Sequence, residues 1–275
     1  YAYQKAMGIF TNILSKPNFS SANLIQQKKQ QLATLSFERE SPEKVASNNF
    51  FATIYPHHPY GHSIYGTEDT IHNIKRSDVI NFYKHFFVRE NAVMVIVGKI
   101  DKVEAKRLAE SILAPLKSGK KSPLPPKATH LAKAVYKNIS FPANQTTFYI
   151  GQLGITHHDK NYFPLLLGNY ILGSGDLNSR LNISLREKNG LTYGVTSEFL
   201  PMPGIGPFCI HFATKAEAAN SALNLTQQIT KGFIQNGPTM DELEKAKAYL
   251  IGSFPLALAS NTSIANMILK IVFYN

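Results

Sequence analysis

The stretch SRLNISLREKNGLTYGVTSEFL, residues 179–200, carries the pattern that decides the fold, a helix that runs directly into a strand. Asn189-Gly190 is a typical helix C-terminus, because glycine readily adopts the left-handed conformation that ends many helices. Arg186 is therefore predicted in the last helical turn and Tyr193 on the following strand, over residues 191–200. A structural role would suffice for both, since the helix dipole favours arginine near a C-terminus and tyrosine is a good strand former.

Strands alternate with helices on both sides of this stretch. Strands are predicted at 135–141, 146–153, 191–200 and 207–213, and helices at 162–172, 177–188, about 217–235, 240–259 and 262–273. Gly173-Ser174-Gly175 separates the first two of these helices and is interpreted as a turn, because the Gly-Lys-Ser/Thr of a phosphate loop does not follow it. This order is typical of an α+β fold, in which helices pack on a mostly antiparallel sheet.

Helices also dominate the first part of the chain. They are predicted at 3–15, from Ser20 or Ser21 to Glu40, from Pro42 through Ile54, from Ser77 through Phe86 and from Asp101 to near Leu116, with a strand at 91–98. Residues 117–130 are rich in Ser, Gly, Lys and Pro, which is the composition of a linker. We therefore predict one domain over residues 1–116, a linker over 117–132 and a second domain over 133–275.

Composition and charge exclude several classes of protein. Of the 275 residues 44% are hydrophobic, enough for a substantial core, and no apolar run approaches the ~20 residues of a membrane span. The net charge of +11 comes from scattered basic residues, and no nucleic-acid-binding motif accompanies the one compact cluster, at 117–121. The lone cysteine, Cys209, excludes an internal disulfide and has the apolar neighbours of a core residue. We expect no membrane span and no nucleic-acid partner.

The two ends of the chain repeat each other at one constant offset, the alignment that places Thr239 on Ser20. Helix-cap residues coincide at Ser20 and Thr239 and again at Ser41 and Ser260, and apolar positions between the caps coincide as well. We call this alignment the shared register. Two helices with both caps in one register indicate a duplicated unit. The first copy would begin about 86 positions before residue 1 and the second would continue past residue 275, so we expect a fragment of a longer protein with both domains truncated.

Six motifs are spread over nearly the whole chain: PHHPYG (56–61), GTE (66–68), FY (82–83), NAVMVIVG (91–98), SRL (179–181) and LREKNGLTY (185–193). In their order and spacing they resemble the bacterial M16B-type members of the M16 (pitrilysin-type, insulinase-like) zinc metallopeptidases. The resemblance implies an α+β fold with two homologous M16-type domains, in each of which helices pack on a mostly antiparallel sheet. Both domains would be truncated in this chain.

The resemblance also implies a zinc site in the active half of such a peptidase, built from a His-x-x-Glu-His helix and a distant Glu. Zinc accepts imidazole and carboxylate ligands and keeps one position open for water. None of the nine histidines lies in such a motif, and the distant Glu corresponds to Thr34, with Ala33 beside it. An alignment shifted by one helical turn would bring in Glu38 instead.

Two histidine pairs, His57-His58 and His157-His158, are the remaining metal candidates. We expect both pairs to be exposed loop residues, because no carboxylate or cysteine spacing supports a metal site beside them. We therefore expect this chain to bind no metal and no cofactor. The zinc would belong to a partner subunit or to a segment upstream.

By resemblance, Arg186 and Tyr193 reach over the zinc of the partner domain and hold the substrate carbonyl. The chain would then be a subunit or fragment of an M16-type peptidase, inactive alone, whose partners are a zinc-bearing M16 subunit or domain, as in a heterodimer, and a peptide substrate. Two alternatives stay open: a complete peptidase whose zinc motif lies upstream, and a structural relative like the core subunits of respiratory complexes. Residues 191–200 could accept the substrate as an added strand. The bacterial periplasm is favoured over the cytoplasm.

Overall fold

The computed structural model describes residues 2–274, which form ten α-helices and three β-strands. The helices are α1 (Ala2–Ser15), α2 (Ser21–Glu40), α3 (Pro42–Ile54), α4 (Glu68–Asn73), α5 (Arg76–Phe86), α6 (Lys102–Leu113), α7 (Tyr162–Asn169), α8 (Ala219–Asn236), α9 (Met240–Ser253) and α10 (Asn261–Tyr274). The strands are β1 (Gln145–Leu153), β2 (Val195–Phe199) and β3 (Pro207–Lys215). The α+β class predicted from the sequence is thereby confirmed.

The three strands form one antiparallel sheet in the order β1-β3-β2. β1 pairs with β3 along its whole length, from Gln145 opposite Lys215 to Leu153 opposite Pro207. β2 pairs with the other side of β3 over five positions, with Val195 opposite Phe212. β2 is therefore an edge strand within the described part of the chain.

The chain separates into two compact units. The first contains the stretch up to Leu35, Tyr65–Pro123 and the stretch from Phe254 onward, and the second contains Ser36–Ile64 and Leu124–Ser253. The whole sheet lies in the second unit. The predicted division at 117–132 into two homologous domains stays a prediction, and its outer bounds, residues 1 and 275, lie outside the described residues.

Both faces of the sheet in the second unit are covered by apolar side chains. Successive residues of β3 point to opposite faces, so β3 contributes to an apolar cluster on each face. One apolar cluster contains Ile210 and Phe212 and extends to Leu172, Leu181, Leu185, Val195 and Ala222. The other contains Cys209 and extends to Phe50, Ile54, Tyr55, Ala128 and Leu153. Cys209 is only 1% exposed, which confirms its predicted place in the core, and burial raises the pKa of its thiol to about 12.

The helix caps follow the shared register predicted from the sequence. The backbone N–H of Asn23 donates to Ser20 Oγ, and that of Glu242 donates to Thr239 Oγ1. In the same way Lys44 N–H donates to Ser41 Oγ and Ser263 N–H donates to Ser260 Oγ. The starts of α2 and α9 are therefore separated by the same length of chain as the starts of α3 and α10. The duplication itself remains a prediction that these boundaries support.

The strands predicted at 91–98 and 135–141 are not formed, and the strand predicted at 191–200 is shortened to Val195–Phe199. Residues of both segments are exposed, as at Val93 (47%) and Val135 (50%). A strand needs a hydrogen-bonding neighbour as well as a suitable sequence, and within the described chain neither segment has one. The predictions of strands at 91–98 and 135–141 are therefore wrong, because the apolar pattern does not specify a pairing partner.

No single helix of residues 2–274 is both long and apolar enough to cross a membrane. One pair of consecutive helical segments, Met240–Leu258 and Asn261–Tyr274, is long and apolar enough when the two are taken together. The pair is bent by 111° at the break between them, and this statement rests on length and composition only.

Candidate functional site

A cavity of about 270 Å³ opens in the second unit beside the start of β2. Its walls come from three stretches: the turn at 173–177, the helical segment around Arg186 and the chain leading into β2. The lining residues are Gly173, Ser174, Asp176, Leu177, Asn182, Arg186, Tyr193, Gly194, Val195 and Thr196. Arg186 and Tyr193, which lie on either side of the Asn189-Gly190 helix end, thus line one cavity.

Two π-helical segments, Tyr170–Ser174 and Asn182–Lys188, supply most of this wall. The helix predicted at 162–172 is therefore present and ends in a π-helical segment. The helix predicted at 177–188 is interrupted at Ser179, whose backbone is extended, and is π-helical from Asn182 to Lys188. π-helical turns are rare and frequently occur at functional sites. Gly173 is required in the first segment, because a Cβ there would collide with the side chain of Ser197. Of the predicted turn at Gly173-Ser174-Gly175, the first two residues belong to the first π-helical segment, and Gly175 follows its end.

Asp176 lines the cavity and was not identified from the sequence. Its φ of 50° lies in the left-handed region, which non-glycine residues seldom adopt, although Asp tolerates it better than most. The turn is held in place by Ser179, whose hydroxyl donates to the Asp176 carbonyl at 2.8 Å. A carboxylate is thereby fixed in the same cavity as the Arg186 guanidinium. The strain at Asp176 depends on the folded turn, so no local sequence pattern predicts it.

Two asparagine side chains cover the outer edge of β2. Asn182 donates from Nδ2 to the Val195 carbonyl at 2.7 Å and accepts from the Val195 N–H at 3.1 Å. Asn169 donates to the Ser197 carbonyl at 3.0 Å and accepts from the Ser197 hydroxyl at 2.6 Å. All four residues are buried. A peptide added at this edge would have to displace Asn182 from both backbone groups of Val195.

Arg186 lies in the last turn of its helical segment, as predicted, and Gly190 has the positive φ of 58° expected after a helix end. Tyr193 lies shortly before β2 and not on the strand. The reason is that the preceding segment is held by side-chain bonds to β3: Thr192 donates to the Ala213 carbonyl at 2.7 Å and Thr214 donates to the Leu191 carbonyl at 2.6 Å.

The side chains of Arg186 and Tyr193 both face solvent. Arg186 is exposed and Tyr193 is 90% exposed. Neither the guanidinium nor the phenol hydroxyl donates to another described residue. The cavity therefore presents unused hydrogen-bond donors from two different segments.

Arg180, which lies six residues before Arg186 in the sequence, has a different environment. Its guanidinium donates to both carboxylate oxygens of Glu242 at 2.6 Å and lies over the Phe233 ring at 5.0 Å. The hydrogen bond from Arg180 is the main reason that the pKa of Glu242 is lowered to about 2. Arg180 is thus fully engaged within the fold.

The donor set of the described chain does not fit a zinc site, because no three His, Cys, Asp or Glu side chains of residues 2–274 converge. Thr34, which the resemblance predicts at the position of the distant ligand, donates its hydroxyl to the Gln30 carbonyl within its own helix. The expectation that both histidine pairs are exposed is wrong for His58, which is 5% exposed. The His58 ring contacts the Pro126 carbonyl through Nε2 and accepts from the Tyr60 N–H through Nδ1, so it stabilises its loop.

Residues 73–250 match the family model described as the peptidase M16 inactive domain. The chain is 25% identical over 265 residues to an uncharacterized zinc protease of Rickettsia bellii, covering 92% of this chain and 60% of that protein. It is 27% identical over 255 residues to the non-peptidase homolog YmxG of Helicobacter pylori, covering 89% of this chain and 56% of that protein. The chain thus spans 56–60% of the length of these two relatives.

Solved structures agree with this assignment. The crystal structure of a peptidase M16 inactive domain from Pseudomonas fluorescens superposes with a TM-score of 0.95 at 35% identity, covering 99% of this chain and 65% of that one. A protease from Helicobacter pylori shares the fold, with a TM-score of 0.89 at 19% identity over 98% of this chain and 67% of that one. Because the inactive-domain model matches more than half of its residues, the chain belongs to the M16 peptidase family.

Proposed function

We propose that this chain is the non-zinc-binding part of an M16 metallopeptidase and that Arg186 and Tyr193 hold the carbonyl group of the substrate peptide. In this proposal the zinc belongs to a partner M16 subunit or to another segment of the longer protein. One observation carries the proposal: two donors from different segments line the same cavity, and neither is engaged by another described residue.

The chemistry of the two side chains fits this role. Peptide hydrolysis places negative charge on the carbonyl oxygen of the scissile bond, and a guanidinium and a phenol can both donate to that oxygen. Donors that are positioned before the reaction stabilise the transition state more than the ground state, which lowers the barrier. The folded chain positions these donors through the Asn182 contacts to β2 and the Thr192 contact to β3.

The lack of zinc ligands in the described chain supports a model in which a partner binds the zinc and this chain binds the substrate. Thr34 offers only a hydroxyl that is already bonded to its own helix, and no group of donors suited to zinc is present in residues 2–274. The chain would therefore contribute to binding the substrate and to stabilising the transition state, and not to activating water.

A second candidate is a complete zinc peptidase, of which this chain is one part. It is favoured by the Rickettsia bellii relative, which is named a zinc protease and is matched over only 60% of its length. In both candidate functions, Arg186 and Tyr193 hold the carbonyl group of the substrate. They differ in whether the zinc is bound by the same polypeptide, which metal analysis of the longer protein decides.

The experiment reconstitutes the protein with a candidate zinc-bearing M16 subunit and measures peptide hydrolysis by the complex. Arg186→Ala and Tyr193→Phe should each lower kcat/KM for peptide hydrolysis by roughly 10²- to 10³-fold, the typical effect of removing one oxyanion donor. Both side chains are exposed, so we expect the fold and the zinc content of the partner to stay unchanged.

Lys188→Ala is the matched control, because Lys188 is an exposed cation in the same helical segment but does not line the cavity. Arg180 is unsuitable as a control, since its ion pair with Glu242 contributes to stability. If Arg186→Ala and Tyr193→Phe support full activity while their complexes form normally, the proposed role of the pair is wrong.

A further inference from the structure

The first unit contains a second cavity, of about 230 Å³, that has no part in the proposed peptidase site. It is bounded by residues 15–19 between α1 and α2, by one side of α5, and by Pro115 and Lys117, which follow α6. Its lining residues are Ser15, Lys16, Pro17, Asn18, Phe19, Arg76, Ile80, Tyr83, Lys84, Phe87, Pro115 and Lys117. We call it the basic cleft.

The floor of the basic cleft is held by side-chain contacts. Phe19 has a φ of 45°, a strained backbone conformation for an aromatic residue. Arg76 stabilises this turn by donating from Nε to the Phe19 carbonyl at 2.6 Å and from Nη2 to the Asn18 carbonyl at 3.0 Å. The Tyr83 hydroxyl donates to the Leu14 carbonyl at 2.8 Å, which connects α5 to α1. The cleft is therefore built before any ligand binds.

The walls of the basic cleft are aromatic. The rings of Phe19 and Tyr83 meet edge to face at 5.4 Å, and Tyr83 and Phe87 lie 5.2 Å apart. Ile80 adds aliphatic surface beside them. Such a wall can cover an apolar side chain of a ligand.

The charged residues that line the basic cleft are all positive. Lys16, Lys84 and Lys117 line it together with Arg76, and none of the three lysines forms an ion pair with a described residue. No Asp or Glu is among the described lining residues. Glu90, near Lys117 in the fold, accepts hydrogen bonds from Ser118 and Gly119. The cleft thus combines unpaired positive charge with an aromatic wall.

We propose that the basic cleft binds the carboxyl terminus of a peptide or protein whose last side chain is apolar. The carboxylate would meet the ammonium groups while the last side chain packs against Phe19, Tyr83 and Phe87. A volume of about 230 Å³ is below the range of drug-sized pockets, so it admits one or two residues and not a folded element. Capture of a free terminal carboxylate is a recurring mode of peptide recognition.

Competing ligands use only part of this arrangement. Inorganic phosphate would satisfy the cations but leave the aromatic wall uncovered. Single-stranded nucleic acid needs exposed ring faces along a continuous basic groove, whereas Phe19 and Tyr83 are half-buried and pack against each other.

The test uses the full chain and a dye-labelled hexapeptide ending in Ala-Leu with a free carboxylate, measured by fluorescence anisotropy. The same peptide with a C-terminal amide should bind about tenfold more weakly, because several exposed charge pairs, each contributing about two- to fivefold, are lost together. A peptide ending in Ala-Gly should also bind about tenfold more weakly, since it loses the buried side chain.

Variants of the chain assign the binding to the cleft. Lys16→Ala and Lys84→Ala should each weaken binding of the acid peptide by about two- to fivefold and the double variant by about tenfold, and higher salt should weaken it further. Lys102→Ala, which removes an exposed lysine of the same unit outside the cleft, should have no effect.

Equal binding of the acid and amide peptides, or no binding of either, would overturn the proposal. Tighter binding of inorganic phosphate or of a single-stranded RNA oligonucleotide at the same lysines would overturn it as well, by assigning the cleft to another ligand. Because no step of this assay needs the partner subunit or peptidase activity, its outcome is independent of the role proposed for Arg186.

Discussion

At the scale of single residues, Arg180 and Glu242 form a partly buried, bidentate ion pair in the second unit. Its two hydrogen bonds are 2.6 Å long, and the side chains are only 25% and 28% exposed. Charge-assisted bidentate pairs are among the stronger contacts in proteins. We expect Arg180→Met to lower the free energy of unfolding by about 1.5–3 kcal/mol at pH 7, measured by urea denaturation.

The same pair predicts a pH dependence with a definite sign. Arg180 lowers the pKa of Glu242 from 4.5 to about 2, so the unfolded chain takes up a proton at higher pH than the folded chain. The stabilisation is therefore complete above about pH 4.5 and is lost as the pH falls towards 2. The difference in stability between wild type and Arg180→Met should shrink over this range.

Lys245→Ala provides the control for the Arg180 variant, because its ion pair with Asp241 has a similar length, 2.7 Å, but side chains that are 76% and 71% exposed. Exposed pairs contribute little, so this variant should unfold at nearly the urea concentration of the wild type. Equal midpoints for Arg180→Met and Lys245→Ala would show that the Arg180 pair does not stabilise the fold.

At the scale of elements, the four caps in the shared register make a paired prediction. Ser41 and Ser260 each accept a hydrogen bond from a backbone N–H in the first turn of the helix that follows, α3 and α10. Removing an N-cap acceptor costs about 1 kcal/mol, since a helical N–H loses its partner. Ser41→Ala and Ser260→Ala should therefore each lower the free energy of unfolding by about that amount, measured by chemical denaturation.

Ser41→Asp and Ser260→Asp keep an acceptor at the cap and should retain most of the stability. If the alanine variants are as stable as the aspartate variants, the two caps contribute nothing to the free energy of unfolding. The coincidence of cap residues in the shared register would then have no effect on stability. A clear cost at both sites would support the interpretation of the two helix pairs as copies of one unit.

At the scale of the whole molecule, the donor chemistry predicts that the chain alone binds no stoichiometric zinc. No three metal-binding side chains of residues 2–274 converge, and both ring nitrogens of His58 are engaged, by the Pro126 carbonyl and the Tyr60 N–H. We expect well below one zinc per chain after dialysis of tag-free protein, measured by elemental analysis. One zinc per chain that resists a chelator would contradict this expectation. His57→Ala, at an exposed histidine, separates surface binding from a true site.

Local sequence patterns were sufficient to predict most of the helices. Caps, apolar spacing and Asn189-Gly190 located the starts of α2, α3, α6 and α9 and placed Arg186 in the last turn of its helical segment. These features depend on residues close together in the chain, so the sequence contains the interactions that form them. The motifs that resemble M16 peptidases likewise identified the family, whereas the role of Arg186 and Tyr193 stays a prediction.

What the sequence determined about this protein by itself is therefore most of its helices, its family and the place of Arg186 in the last turn of its helical segment. Only the tertiary structure decided which of the predicted strands form. Residues 146–153 pair with β3, whereas 91–98 and 135–141 have no strand neighbour among the described residues. It also decided the placement of Asp176 in the cavity, the capping of β2 by Asn182 and the joining of distant lysines in the basic cleft. Each of these depends on contacts between residues far apart in the chain, which local propensity does not specify.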